Sequence, residues 1–312
     1  MELDFALSRG DLDSATELRD TMDVHALLRE EGGRVVFARH PAQFALADRA
    51  LWSRRAVAGR GVHWWEDVPL SAMWFMGRDD AGLAQIVLSM SQWRRMPLER
   101  VTPGNGAEDL AWANLMDFAP TLRDPMDSLI ATQASALMAW HDATRFCHFC
   151  GSPLEVRSAG WTLKCTKCGH TEYPRTDPAV IVAVVDSSDR LLLVHNVQWP
   201  AARMSLLAGY VDAGEDLERA VRREVFEEVG LVVTGMRYLG SQPWPRPRSL
   251  MLAYKASVID SVSPRADQVE VDRARFFTRE QLREHVGRGD VVIPGPAAVA
   301  HSVINLWLEG RL

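Results

Sequence analysis

Residues 209–231, GYVDAGEDLERAVRREVFEEVGL, hold seven acids and three arginines in 23 positions. A helix from about 215 to 229 would put Leu217, Ala220, Val221 and Val225 on one face. Arg219, Arg222, Arg223, Glu215 and Asp216 fall largely on the other side. Glu224 and Glu228, one turn apart, land among the apolar residues, with Glu227 beside them. Two carboxylates on a core-facing stripe break the binary pattern. Burying them charged and unpaired is expensive. Arg223 can pair with Glu227 at i,i+4, but it sits too far round to neutralise Glu224 and Glu228 together. A hard divalent cation such as Mg²⁺ suits clustered carboxylate oxygens. The bland alternative is a solvated acidic face, and the angular placement argues against it. Gly209 and Gly214 allow a tight strand-to-helix loop with backbone open to a ligand, and Gly230 fits the left-handed residue that ends a helix.

A second constellation lies upstream. All four cysteines fall in FCHFCG and KCTKCG, so that Cys147, Cys150, Cys165 and Cys168 form two CxxC pairs 14 residues apart. Each pair can make a knuckle that donates two thiolates, and two knuckles close a tetrahedral zinc site. The gap is one residue short of the common spacing, which a short ribbon hairpin tolerates. Four thiolates leave no position for water, so this zinc is read as structural. His148 and His170 are alternative ligands, but with four cysteines present they read as ordinary exposed histidines.

Other parts of the chain must position these groups. The 312 residues suggest two domains, perhaps with a small insert. At 47% apolar and 24% charged, the composition is that of an ordinary globular protein. A net charge of -6 offers no global basic field for nucleic acid. An RNA end held locally stays compatible with that balance. No apolar run is long enough to span a membrane, and the acidic start lacks a signal-peptide pattern. A cytoplasmic location is the default expectation.

Residues 1–125 read as an N-terminal mixed α/β domain. RVVFA and QIVLSM look like strands, and EDLAWANLMDFA has helical spacing. Seven of the eleven tryptophans precede residue 141, and core packing is their expected role. Residues 126–146 read as an amphipathic linker helix, with Met126, Leu129, Ile130, Ala134, Leu137 and Met138 along one stripe. Residues 147–173 read as the ribbon, and 174–312 as the domain that carries the acidic helix. In the latter, AVIVAVV and LLLVHN suggest a hairpin. LVVTGMRYLG and LMLAYKASV are further strands, and PGPAAVAHSVINLWLEGRL ends in an amphipathic helix.

The segment 209–231 resembles the Nudix hydrolase box: G, five residues, E, seven residues, then R-E-U-x-E-E-x-G-U with U aliphatic. Gly209, Glu215, Arg223, Glu224, Val225, Glu227, Glu228, Gly230 and Leu231 fill every position. The resemblance implies a Nudix fold, an α/β/α sandwich with a mixed sheet. It also implies Mg²⁺- or Mn²⁺-dependent hydrolysis of a nucleoside diphosphate linked to another group. SQPWPRPRSLM, residues 241–251, is similar to the SQPWPFPxS signature of NADH pyrophosphatases. That subfamily also carries a four-cysteine ribbon and an extra N-terminal domain. Its members cleave NAD(H) to AMP and nicotinamide mononucleotide and can remove NAD caps from RNA 5′ ends. A homodimer is implied as well. Arg246 departs from the subfamily's Phe, which bears on local packing, the dimer contact or substrate preference.

Position by position, the resemblance makes Glu224, Glu227 and Glu228 catalytic-metal ligands and adds Glu270, in a looser local match. Glu227 or Glu228 takes or orients the proton of the attacking water, and Arg223 orients Glu227. Tyr173, Tyr210, Gln242, Trp244 and Ala300 are implied around the substrate, although aromatic residues such as Tyr173, Tyr210 and Trp244 are more often simply core. Two other readings stand beside this one. The first is a Nudix enzyme for ADP-ribose or dinucleoside polyphosphates, which the SQPW segment and the ribbon disfavour. The second is a non-catalytic nucleotide- or RNA-binding adaptor, which the complete set of box carboxylates disfavours.

Overall fold

The computed structural model describes residues 4–39, 42–59, 63–90, 111–258 and 263–312. It divides into two compact units. One comprises residues 1–8, 176–244 and 249–312, the other residues 9–175 and 245–248.

The second unit holds helix α1 (Val24–Glu30), strands β1 (Gly33–Arg39), β2 (Gln43–Ala47), β3 (Ala50–Leu51), β4 (Ser53–Ala56), β5 (Met73–Arg78), β6 (Ala84–Ser89) and β7 (Ala111–Asn114), then α2 (Leu115–Phe118) and α3 (Pro125–Ala143). The strands form a mixed sheet in the order β3-β2-β1-β6-β5, with β4 on β1 and β7 on β2. RVVFA and QIVLSM are β1 and β6, as their apolar runs suggest. EDLAWANLMDFA is not one helix. Its residues 108–110 lie outside the described set, Ala111–Asn114 pair with β2, and only Leu115–Phe118 are α-helical. Cross-strand pairing overrides the helical spacing here, as sheet context commonly does. Trp65 and Trp74 are fully buried, in line with a packing role for the tryptophans.

Helix α3 is buried more broadly than one apolar stripe would allow. Asp127, Ser128, Thr132, Ser135 and His141 are buried along with Ile130, Ala134, Leu137 and Met138, whereas Leu129 is only half-buried. Most of these polar residues find partners, although the Thr132 hydroxyl has none among the described residues. Asp127 pairs with Arg34 at 2.7 Å and accepts the Leu51 amide at 2.8 Å. The hydroxyl of Ser135 donates to the Ala131 carbonyl at 2.7 Å. Short side chains bonded locally can be buried cheaply, and hydropathy spacing does not register them. A small antiparallel sheet, β8 (Leu154–Arg157), β9 (Thr162–Cys165) and β10 (Thr171–Glu172), follows α3. It rests on the N-terminal sheet, where the Trp161 indole donates to the Phe75 carbonyl at 2.7 Å, and on α3, where His141 Nε2 lies 2.9 Å from the Gly160 carbonyl.

In the first unit, β11 (Asp177–Val185), β12 (Leu191–Asn196), β13 (Leu207–Tyr210), α4 (Leu217–Val229), β14 (Val233–Trp244), β15 (Ser249–Val258), β16 (Val271–Phe277), α5 (Arg279–Arg288) and α6 (Val299–Leu308) succeed one another. The sheet order is β14-β15-β11-β12-β16, with β13 on β11. β11 and β15 are parallel and the other pairs antiparallel. The sheet is therefore mixed. Alternation along β11 explains the layers. Ile181, Ala183 and Val185 enter a core with Val299, Val303, Ile304 and Trp307 of α6 and Leu282 of α5. Val180, Val182 and Val184 enter a separate core with Ala220, Val221, Val225 and Val229 of α4. A strand buried on both faces reads as an unbroken apolar run, and the result is the expected α/β/α sandwich.

Candidate active site

Helix α4 starts where Asp216 accepts the Arg219 amide at 2.8 Å, and it ends at Gly230 with φ 67. Both ends follow ordinary capping chemistry. Between them the burial pattern is inverted relative to normal polarity. Glu224 and Glu228 are 8% and 6% exposed, whereas Phe226 is 61% exposed. The helix places its acids inward because their Cα positions follow those of Val221 and Val225 around the same face.

Gly209 makes room for them. A Cβ built on Gly209 would lie 1.9 Å from Glu224 Cδ, so no side chain fits there. Its φ is unexceptional, and the requirement is space rather than conformation. The Glu224 carboxylate therefore rests directly on the backbone of β13.

Arg223 ties this corner together. Its Nε and Nη2 donate to the two oxygens of Glu215 at 2.8 Å each, a bidentate pair. Nη1 donates to Glu224 at 2.8 Å and to Glu227 at 3.2 Å, and Nη2 also donates to the Tyr210 carbonyl at 2.8 Å. The guanidinium fork holds the Glu215 carboxyl at about 2, helped by the Asp212 amide. Arg223 reaches Glu224 and Glu227, and among the described residues no lysine or arginine pairs with Glu228.

Burial, and then the charges of Glu224, Glu270 and Asp267, push the Glu228 carboxyl up to about 8. Burial likewise raises Glu224, against the pull of Arg223. A site that resists ionising two adjacent carboxylates is one that a divalent cation would relieve. The donors are all carboxylate oxygens, the chemistry of a hard ion such as Mg²⁺ or Mn²⁺. The residues fit such an ion.

The loop before β16 contributes Glu270, exposed and close enough to raise both buried glutamates. Sequence reasoning missed the residue that shapes this loop. Asp267 accepts the amides of Val269, Glu270 and Val271 at 3.1, 3.1 and 2.8 Å. Its own amide donates to the Glu228 carbonyl at 3.1 Å, docking the loop on the end of α4. The signal was present as an Asx turn, an aspartate followed within four residues by the amides it can bind.

The other predicted positions separate. Tyr210, 52% exposed, pairs with Ala179, Ala179 with Met251, and Met251 with Gln242. Tyr210 and Gln242 thus lie on one row of the sheet, three strand spacings or about 14 Å apart. Gln242 is fully buried. Its amide nitrogen donates to the Ala297 carbonyl at 3.0 Å, and its oxygen has no partner among the described residues. Trp244 is half-buried at the end of β14. Ala300 is 2% exposed and its side chain belongs to the core beneath α6. Tyr173, 65% exposed, lies in the other unit, as do the four cysteines.

The cysteine sulfurs converge. Sγ separations are 3.7 Å for Cys147–Cys168, 3.4 Å for Cys150–Cys165 and 3.6 Å for Cys150–Cys168. Four thiolates about 2.3 Å from a tetrahedral zinc would lie about 3.8 Å apart. The amides of Lys167 and Cys168 donate to Cys165 Sγ at 3.4 Å each, the turn of a knuckle. The donor set and its spacing fit zinc.

Residues 175–294 match the NUDIX domain, and residues 142–173 match the NADH pyrophosphatase zinc ribbon domain. Over 194 residues the chain is 41% identical to an NAD-capped RNA hydrolase NudC of Mycobacterium bovis (strain BCG / Pasteur 1173P2), covering 60% of this chain and 62% of that protein. Over 192 residues it is 35% identical to an NAD-capped RNA hydrolase NUDT12 of Homo sapiens, covering 58% and 41% respectively. The chain thus spans less than two thirds of the length of these relatives. Among solved structures, a NUDIX hydrolase from Nitrosomonas europaea aligns at 20% identity with a TM-score of 0.44, covering 54% of this chain and 92% of that one.

Proposed function

We propose that this chain, whose residues 175–294 match the NUDIX domain and 142–173 the NADH pyrophosphatase zinc ribbon domain, hydrolyses the pyrophosphate of NAD(H). The products are AMP and nicotinamide mononucleotide, and the NAD cap of an RNA 5′ end is a further substrate. One observation carries the reading: Glu224 and Glu228 are buried together beside Glu270, with a single arginine between them and their neighbours. The names of the mycobacterial and human relatives support the choice of NAD-linked substrates.

A divalent cation, Mg²⁺ or Mn²⁺, supplies charge neutralisation on the diphosphate and an acidified water when bound. Glu224, Glu227, Glu228 and Glu270 are the residues that would hold it. Glu228 takes the water's proton. It is the most buried of these carboxylates, and among the described residues no lysine or arginine pairs with it. Arg223 positions Glu224 and Glu227 through one planar group. Tyr210 offers an exposed ring for stacking on a base or nicotinamide. Gln242, whose side chain is fully buried, is assigned to the substrate pocket on the subfamily resemblance. Trp244 and Ala300 are assigned to the same pocket on the subfamily resemblance. Tyr173 is assigned to the substrate on that ground too.

The four cysteines hold zinc as a structural ion, and the ribbon takes no part in the chemistry. A cytoplasmic homodimer completes the reading. Among the described residues no helix is long and apolar enough to cross a membrane. Light scattering on the purified chain tests the dimer, and a mass near that of one 34.9 kDa chain would contradict it.

Glu228→Gln tests the catalytic assignment. The isosteric amide keeps packing but cannot accept the proton. Turnover of NADH should fall by about 10³-fold with an unchanged circular dichroism spectrum. Turnover equal to wild type at saturating Mg²⁺ would remove Glu228 from this role.

A further inference from the structure

The ribbon carries a second cluster of metal-binding side chains that the four thiols do not use. Cys147 is buried, so His148, the next residue, turns outward from the first knuckle. His170 and Glu172 follow the second knuckle at i,i+2 spacing in an extended segment, which puts both on one face. The two strands of sequence meet. His148 Nδ1 lies 2.5 Å from Glu172 Oε1, and His170 Nε2 lies 3.4 Å from the same oxygen. One ligand atom from each of the three residues lies within 4.8 Å of the other two. The Phe149 ring packs against both imidazoles, with centroids at 4.0 and 4.5 Å.

We propose that His148, His170 and Glu172 form a second, exchangeable transition-metal site on the ribbon, distinct from the four-cysteine site. Two imidazoles and one carboxylate are a borderline N₂O donor set, suited to Zn²⁺ or Co²⁺ and poorly suited to Mg²⁺. Two ligands about 2.0 Å from a tetrahedral ion lie about 3.3 Å apart. The His170–Glu172 separation of 3.4 Å already has that value. The His148–Glu172 separation of 2.5 Å needs to open by less than about 1 Å to reach it. The Glu172 side chain is 17% exposed and His148 is 58% exposed. The carboxylate is thus fixed while one face stays open to ion entry. Three protein ligands leave a fourth position for water, which makes the ion removable where the thiolate-bound zinc is not. An ion here would join the first knuckle to the segment that follows the second.

The test uses the full chain with Zn²⁺ alone as probe. Wild type and Glu172→Gln are equilibrated with excess Zn²⁺, passed over a desalting column, and their zinc per chain is counted by elemental mass spectrometry. Wild type should hold one equivalent more than Glu172→Gln. The extra equivalent should be removed by a mild chelator that leaves the first in place. His170→Ala should lose the same equivalent, with binding more than about 100-fold weaker. Each variant should keep its tightly held equivalent, which reports an intact ribbon. With Co²⁺ in place of Zn²⁺, the extra equivalent should add none of the intense thiolate-to-cobalt absorption. Equal zinc in wild type and both variants would overturn the site and leave a plain hydrogen bond between His148 and Glu172. So would thiolate absorption from the extra cobalt.

Discussion

Gly209 and Glu224 are 15 residues apart in sequence and in van der Waals contact in space. That contact makes Gly209→Ala an informative substitution. The new methyl must displace the Glu224 carboxylate, because the atom it would meet is the carboxyl carbon itself. Displacement of a reacting group by about 1 Å costs about 100-fold in rate. Steady-state kinetics of Gly209→Ala should therefore show a fall of that order, with far-ultraviolet circular dichroism unchanged. Wild-type kinetics would mean that Glu224 has another seat.

Glu228 makes a second residue-scale prediction, in the chain kept free of Mg²⁺ and Mn²⁺. Its folded carboxyl titrates near 8, against an ordinary 4.5 when unfolded. Between those values the folded state binds the extra proton. Stability is thus full below the unfolded value and falls as pH rises toward 8. Melting temperatures from pH 5 to pH 8.5 should decline in wild type, decline less in Glu228→Gln, and be restored by Mg²⁺ most strongly at the alkaline end. A flat wild-type profile would count against the buried, unpaired carboxylate.

The inward phase of Glu224 and Glu228 was legible in the sequence, because helical periodicity alone sets it. The reach of Arg223 was only half legible. Its i,i+4 pair with Glu227 follows from spacing, whereas its bidentate pair with Glu215 depends on how the chain turns before the helix. Asp267 and the seat under Gly209 were not legible, since both depend on tertiary docking of separate segments.

At the scale of elements, α4 and the strands around it hold the carboxylates through one guanidinium. Arg223→Lys keeps the charge and loses the planar fork. It should destabilise the chain by about 2 kcal/mol, the value of charge-assisted bonds at a half-covered site. Urea unfolding reads this, and an unchanged midpoint would refute the fork's role. At the N-terminus of the helix, Asp216→Ala removes one capping bond and should cost about 1 kcal/mol by the same measurement.

The strands of the catalytic sheet were legible because apolar runs such as AVIVAVV have no other stable use. EDLAWANLMDFA misled because strand and helix periodicities overlap in short apolar stretches, and β2 supplied a pairing edge. Helix α3 was recognised, but its buried polar face was not, because Asp127 is satisfied by Arg34 and Leu51 from distant sequence.

At the scale of the whole molecule, the two kinds of metal-binding chemistry lie in separate compact units. Carboxylates gather in one and thiols in the other, as the chemistry of a hard ion and of zinc requires. Zinc in a closed four-thiolate site contributes folding energy directly. Cys165→Ser should therefore lower the melting temperature and abolish tight zinc retention. Full retention of zinc with wild-type melting would contradict a structural role. The four-cysteine ribbon was readable from cysteine spacing. The placement of residues 4–8 and 245–248 was not, because it depends on contacts far away in sequence.

On the function proposed above, the acidic corner of α4 cleaves the diphosphate of NAD(H). Incubating the full chain with NADH and Mg²⁺ or Mn²⁺, and weighing the products by mass spectrometry, tests it directly. AMP and reduced nicotinamide mononucleotide should form, only with the divalent ion present, and should be lost in Glu228→Gln. Intact NADH alongside cleavage of ADP-ribose would contradict it.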